Sequence, residues 1–296
     1  MKIFLDCFPC FLRQALEAGR IAGADEKTQR EVLNSVMRAL QEVSQESTPP
    51  EISWLIHKTI REATGNLDPY KEIKKIHNEQ VMRIEADLVN LVNESSSPVI
   101  DALKLAGTGN LIDMGPERQW IDIKDIFKGF SNKKAAFFDY PFFEKSIKNS
   151  KTLLYIGDNA GEIVLDKILI SLLIKEVDID VTYAVRGKPV INDATMEDAK
   201  FVGVTDIVRT IDTGTDFPGV ILGSCSEEFL EYYHKADIII SKGQGNYESL
   251  SDECENIFFL LQAKCPIIAN KIGCEVGDLV FKAQKRNNYF MSWETL

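Results

Sequence analysis

The sequence predicts an α/β protein: a three-layer α/β/α sandwich with a mostly parallel sheet, preceded by an all-helical N-terminal region. Three observations predict it. The first 95 or so residues carry apolar positions at helical spacing and little that favours strands. From about Thr152 short β-rich runs alternate with helix-like runs. Those β-rich runs are continuously apolar, as strands covered on both faces are. The 296 residues leave room for about two domains of ~100–200 residues each. We divide them into a helical domain or cap over 1–95 and a Rossmann-like α/β/α domain over 96–296.

The elements follow in order. "PCFLRQALEAGRIAG" sets Phe11, Leu12, Ala15, Leu16 and Ile21 near one face and closes on glycine. "EKTQREVLNSVMRALQEV" repeats the spacing with Val32, Leu33, Val36, Met37 and Leu40. "STPPEISWLIHKTIREATG" opens on Ser/Thr and two prolines and ends on Gly65. Asp68-Pro69 predicts a cap and first position for the next helix. The predicted strands are "TLLYIG", "DVTYAVRG", "DIVRTIDTG", "ADIIISKG" and "CPIIANK". The predicted helices around them are "SSPVIDALKLAG", "GEIVLDKILISLLIKE", "ATMEDAKFVG", "SEEFLEYYHK" and "ECENIFFLLQAK". Residues 110–149, rich in Phe and Lys, fit neither pattern.

Composition narrows the function classes. Net charge is −11, from 45 acidic against 34 basic residues. Such a chain repels a phosphate backbone, which argues against nucleic acid as a partner. It also repels small phosphate esters unless a cation or a local basic group intervenes. The longest apolar run, Ile168 to Ile174, is far short of the ~20 residues of a membrane span, so no membrane partner is expected. The N-terminal "MKIFLDCFPCFL" is interrupted by Asp6 and two cysteines and lacks a small-residue cleavage site, so the expected location is the cytoplasm. Nothing in the sequence sets an oligomeric state.

Six cysteines in a chain this long are no disulfide framework. Cys7 and Cys10 have C-x-x-C spacing, and Cys265 or Cys274 would join them only if the two ends of the chain meet. Two readings stand: buried or free thiols, or a second, metal-binding or redox thiol site at Cys7, Cys10 and Cys265.

Ligands of open α/β sheets bind outside the carboxyl ends of the strands. Four successive strand ends here run into polar, glycine-bearing segments: "GDNAGE", "RGKPVINDAT", "DTGTDFPG" and "SKGQGNYE". Asp158 and Asn159 offer hard oxygen ligands, and Asn192-Asp193 offers more from the neighbouring loop. Two Asp and one Asn suit Mg²⁺ or a similar divalent ion that keeps sites for water and substrate. Lys242 with Gly243, Gly245 and Asn246 reads as an anion grip, because glycines let backbone N–H groups approach. Arg186 adds a two-pronged clamp. Each feature has a plainer reading. Asp158-Asn159 and Asn192-Asp193 are also good turn and helix-cap residues. "KGQGN" could be a surface turn, Arg186 a surface charge, and Glu162 a response to the helix dipole. His57, His77 and His234 sit in helical runs and read as structural or exposed.

"GDNAGEIVLD", "RGKPVINDAT" and "SKGQGNYE", with "DCFPC" and "DPYKEIK", resemble the DUF89 family of metal-dependent damage-control phosphatases, in its archaeal and bacterial branch with the cysteine pair. The resemblance runs nearly end to end. It implies divalent-metal hydrolysis of phosphate monoesters, including sugar phosphates and damaged metabolites, with catalysis in the second domain. It implies metal ligands Asp158, Asn159 and Asp193, for Mg²⁺, Mn²⁺, Co²⁺ or Ni²⁺. It implies substrate contacts from Arg186, Asn192, Lys242, Gly243, Gly245 and Asn246. "AGTGNLIDMG" resembles a further family segment and adds Asn110, with Asp113 beside it. Asp158, Asp193 and Glu162 are the expected catalytic groups, the last two as alternatives for orienting water. An aspartyl-phosphate route would want Asp-x-Asp after the first strand, and position 160 is Ala. Two other readings compete. Gly157-x-x-x-Gly161 after a strand fits an S-adenosylmethionine-dependent methyltransferase, although Arg186 stands where an acid should hold the ribose. A non-enzymatic metal-binding module is the other.

Overall fold

The computed structural model describes residues 1–107, 135–253 and 256–284. Five helices come first: α1 (Cys7–Ile21), α2 (Glu26–Gln41), α3 (Pro49–Thr64), α4 (Lys71–Asn93) and α5 (Pro98–Gly107). Then follow β1 (Ala135–Phe138), α6 (Tyr140–Ile147), β2 (Thr152–Ile156), α7 (Glu162–Glu176), β3 (Asp180–Val185), α8 (Met196–Val202) and β4 (Arg209–Asp212). The chain ends with α9 (Glu227–Lys235), β5 (Ile238–Lys242), α10 (Gln244–Leu250), β6 (Ile257–Gln262), α11 (Pro266–Ile272) and β7 (Leu279–Ala283).

The strands form one sheet in the order β1-β7-β6-β5-β2-β3-β4. Strands β2 to β6 run parallel, and β7 returns antiparallel to β6. Alternate side chains of β2 divide between two cores: Leu153 and Tyr155 face one, Leu154 and Ile156 the other. The first core is filled by α4, α5, α7 and α8, the second by α9, α10 and α11. This is the three-layer sandwich that the alternating pattern predicts. Helix α7 is buried on nearly all sides, which explains why its sequence is apolar without a polar face. A third core, with Phe11, Val32, Val36, Ile52, Ile56 and Tyr70, joins α1, α2 and α3.

The sequence reading is inverted at one place. "ECENIFFLLQAK", expected as a helix, supplies β6, and "CPIIANK", expected as a strand, forms α11. Short apolar runs do not distinguish the two states by spacing. Pro266 at the first helical position and Gly273 in the left-handed conformation at the C-cap mark α11 as a helix. Strand β6 is apolar throughout because both its faces are covered. Strand β1 and helix α6 lie in the stretch that fitted neither pattern, and β7 was not anticipated. At Asp68-Pro69 the helix starts two residues later, with Tyr70 as its N-cap. Asp68 serves the turn instead, accepting the Tyr70 N–H at 3.2 Å and pairing with Lys74 at 3.3 Å.

The chain fills β2, β3 and β4 outward in one direction, then crosses to β5 and fills the other side. The strand order therefore reverses between β2 and β5, and a crevice opens above their carboxyl ends.

Candidate active site

Two loops meet above that crevice, and main-chain hydrogen bonds hold them together. The Gly157 N–H bonds to the Ala184 carbonyl at 2.9 Å, extending the β2–β3 ladder by one step. The loop after β3 then folds back: Ala194 N–H donates to Asp158 O at 2.8 Å, and Ala160 N–H to Asn192 O at 2.9 Å. Asn159 and Asp193 form an isolated antiparallel bridge. Asp158, Asn159 and Asp193 are thus brought together from two strand ends, and all three side chains are buried. Ile191, two residues before Asp193, has φ 44°. That is a costly conformation for a β-branched residue and marks a loop held in place by its surroundings.

The remaining polar groups form a chain behind these three. The Asn159 amide donates to Asp158 Oδ2 and to Glu162 Oε1, both at 2.9 Å. Lys242 Nζ donates to Glu162 Oε2 at 3.1 Å and to Asp166 Oδ1 at 2.8 Å. Tyr155 and Tyr183 hydroxyls donate to Asp166 at 2.7 and 3.0 Å. Arg186 Nε binds Asp193 Oδ2 at 2.7 Å, and its Nη2 donates to Asn246 Oδ1 at 2.9 Å. Asn246 is wholly occupied: it also accepts from Val220 N–H and donates to the Gly157 and Lys242 carbonyls.

Lys242 and Arg186 therefore do not sit as the sequence reading placed them. Both are only 1% exposed: Lys242 pairs with Glu162 and Asp166, and Arg186 pairs with Asp193, while Arg186 Nη1 has no hydrogen-bond partner among the described residues. Isolated charges cannot be buried without partners, and Glu162, Asp166 and Asp193 supply them. Asn246 likewise locks the β5 end to the β2 end. Gly243 begins α10, with φ +82°, and a Cβ there would overlap the Asp158 carboxylate. We expect Gly243→Ala to displace Asp158 and weaken divalent-ion binding at least tenfold, with little change in far-UV circular dichroism; isothermal titration checks this.

The electrostatics follow from burial. Burial pushes the Asp158 carboxyl up to about 7, with Asp193 and Glu162 adding repulsion. Burial also raises Asp193 against the pull of Arg186. For Glu162 burial is outweighed by Lys242, Lys264 and the Asn159 amide, which hold it below the ordinary range. Lys242 lies above its usual value, because Asp166 and Glu162 outweigh its desolvation.

Asp158, Asn159, Asn192 and Asp193 line a cavity of about 450 Å³, within the usual range for small-molecule sites. Its other wall is the helical cap: Asp6, Cys7, Cys10 and Gln14 from the α1 end, and Pro49 and Ser53 from α3. Gly245, Glu248, Lys264 and Cys265 complete it. Among the described lining residues Lys264 is the only cation, and the sequence reading missed it. Its signal was available, a lysine two residues past a strand, but that strand reads as a helix in the sequence. The cap is docked through α3. Arg61 pairs with Asp216, Trp54 Nε1 donates to Asp216 Oδ1 at 2.9 Å, and Trp54 stacks on Phe217 at 5.0 Å. "DTGTDFPG" therefore anchors the cap to the sheet. Asn78 of α4 accepts the Gly161 N–H at 2.7 Å, steadying the turn into α7.

The donor set fits a divalent cation held mainly by oxygen. Four buried carboxylates (Asp158, Glu162, Asp166 and Asp193) face two buried cations (Arg186 and Lys242), leaving a deficit of two positive charges. With the Asn159 amide nitrogen committed, its carbonyl is free to turn to a cation, as is one oxygen each of Asp158 and Asp193. Among the described residues no three His, Cys, Asp or Glu side chains are grouped to hold a metal ion by themselves. The oxygen site thus has two carboxylates and an amide, leaving positions for water and substrate. Cys7, Cys10 and Cys265 are free thiols lining the same cavity and form no such group either. Asn110, Asp113 and Cys254 lie outside the described residues. His57 and His77 are buried in helices.

Comparison with known proteins agrees with this architecture. A family model described as the damage-control phosphatase ARMT1-like domain matches residues 3–280. A damage-control phosphatase of Pyrococcus horikoshii is 34% identical over 96% of this chain and 99% of its own length. One of Archaeoglobus fulgidus is 31% identical over 95% and 99%. An uncharacterised protein of Methanocaldococcus jannaschii is 36% identical over 95% of both chains. The crystal structure of a DUF89 family protein from P. horikoshii superposes with a TM-score of 0.87 at 33% identity, covering 96% of this chain and all of that one. By the end-to-end family match and by these relatives, the chain belongs to the ARMT1-like, or DUF89, damage-control phosphatase family.

Proposed function

We propose that this protein is a divalent-metal-dependent phosphomonoester hydrolase acting on small phosphate esters, such as sugar phosphates or damaged phosphometabolites. One observation carries the reading: a buried floor short of two positive charges, with three side-chain oxygens unengaged among the described residues, borders a cavity at the strand-order reversal. Asp158, Asn159 and Asp193 would hold Mg²⁺, Mn²⁺, Co²⁺ or Ni²⁺. When bound, the ion supplies Lewis-acid stabilisation of charge on the phosphoryl oxygens and an activated water. The family's phosphatase names support the reaction class.

The chain's own groups divide the remaining work. Lys264 offers a positive charge to the substrate phosphate from the cavity wall. Arg186 orients Asp193 and leaves its second oxygen toward the cavity, where it can accept a hydrogen bond from water. Glu162 has both oxygens engaged, by Asn159 and Lys242. Glu162 thus fixes the Asn159 amide, and we assign the orienting of water to Asp193, whose remaining oxygen would serve both the ion and the water. Gln14 of the cap lines the same cavity and would offer its amide to the leaving group.

Removal of metal tests the reading. Treatment with excess chelator is expected to lower phosphate release from p-nitrophenyl phosphate and from a sugar phosphate at least a hundredfold. Re-addition of Mg²⁺, Mn²⁺, Co²⁺ or Ni²⁺ should restore it. Full turnover in excess chelator would overturn the metal role, and absence of turnover with every ester and metal would overturn the hydrolase.

A further inference from the structure

Besides Asp158 and Asp193, two acidic side chains line the cavity, Asp6 and Glu248, and neither takes part in the arrangement above. Glu248 lies on α10, one turn beyond Gln244 and Gly245, and borders the cavity with Asp158 and Asp193. Among the described residues it makes no hydrogen bond to Glu162, Lys242 or Asp166. The Gln244 amide donates to its Oε1 at 2.8 Å. Among the described residues no hydrogen bond reaches Oε2. Gln244 is itself fixed, because its carbonyl accepts the Lys264 N–H at 2.9 Å.

Resting on the phosphatase reading, we propose that Glu248 is the general acid that protonates the leaving-group oxygen of alkyl phosphate esters. Glu248 lines the same cavity as Asp158 and Asp193, so a phosphate on that floor would have to turn its ester oxygen toward it. As the water oxygen bonds to phosphorus, the bond from phosphorus to the ester oxygen breaks, and that oxygen takes the Glu248 proton to leave as an alcohol. One water proton stays on the phosphate as its hydroxyl, the other passes to solvent, and Glu248 regains a proton from solvent.

The surroundings keep the carboxyl able to donate near neutrality. Burial pushes it up to about 7, against opposing pulls from the Gln244 amide, the Met1 ammonium and Lys264. The groups facing it are Gln244 on its own helix, Met1 at the N-terminus, Lys264 on the β6–α11 connection, and the thiols of Cys7 and Cys10 on α1. Those two thiols are themselves raised by burial, so they stay neutral beside it. A catalytic acid works best when its acidity matches the working pH.

Leaving-group dependence tests the assignment. p-Nitrophenolate leaves without protonation, whereas the alkoxide of a sugar phosphate does not. We expect Glu248→Gln in the metal-loaded enzyme to lower kcat/KM about 10²-fold or more for a sugar phosphate, and at least tenfold less severely for p-nitrophenyl phosphate. In the wild type the sugar-phosphate rate should fall as pH rises past about 7, and this limb should be missing in the variant. A second variant, Gln244→Leu, removes a hydrogen bond that favours the ionised carboxylate, so the limb should move to higher pH. Equal losses for both esters, no loss for either, or an unmoved limb in Gln244→Leu would overturn the assignment. Failure of the wild type to hydrolyse either ester would overturn the hydrolase reading and this proposal with it.

Discussion

Asp158→Asn should lose at least 10³-fold in kcat with p-nitrophenyl phosphate while the metal-free protein unfolds at the same temperature as the wild type or a higher one. The two effects have one cause. Asp158 is crowded by Asp193 and Glu162 in a buried floor that lacks two positive charges. Neutralising one carboxylate relieves that repulsion in the empty site, and it removes the charged ligand that a divalent ion needs. The same substitution should abolish the rise in unfolding temperature that a stabilising ligand produces by mass action. Differential scanning calorimetry with and without Mn²⁺, beside a phosphate-release assay, checks both halves. A variant that keeps its metal-dependent thermal shift would show that the ion binds elsewhere.

Lys242→Met has the opposite balance. Lys242 is 1% exposed and bonds to two carboxylates that are themselves buried, Glu162 and Asp166. Removing one partner of a buried ion pair leaves uncompensated charge, a loss of about 3–5 kcal/mol. We expect a loss of that order in urea unfolding at pH 8, together with loss of activity, because Glu162 would no longer fix Asn159. Lowering the pH should recover part of the stability, since protonation then neutralises the stranded carboxylates. The triple variant Lys242→Met, Glu162→Gln, Asp166→Asn should recover most of it at pH 8. A single variant as stable as the wild type would refute the pairing.

The two largest effects therefore fall on one residue that the sequence announces and one that it misplaces. Asp158, Asn159 and Asp193 were legible because the strand-end rule needs only local information: an apolar run, then a short polar turn. The direction of Lys242 was not legible. Its partners Glu162 and Asp166 lie 80 and 76 residues away, and nothing local tells an inward lysine from an outward one. Arg186 failed for the same reason, since its partner Asp193 is near in sequence but reaches it only through the fold-back of the loop. The helical cap and the strands β2 to β5 were readable from spacing. The β6–α11 exchange was not, because "IFFLLQ" and "PIIANKI" are both short and apolar. That one inversion hid Lys264 by placing it at the end of a supposed helix. Glu248 went unnoticed because a glutamate on a helix is ordinary until the cap closes over it.

The floor loops are joined through the main chain, by hydrogen bonds such as Ala194 N–H to Asp158 O, while the cap meets them through side chains such as Trp54, Arg61 and Asp216. Peptide groups are the same at every position, so this part of the floor's framework does not depend on which side chains its loops carry. The roof has no such protection, and a few exchanges on α1 or α3 can reshape it. One reaction can thus be kept while the molecules admitted to it are renegotiated.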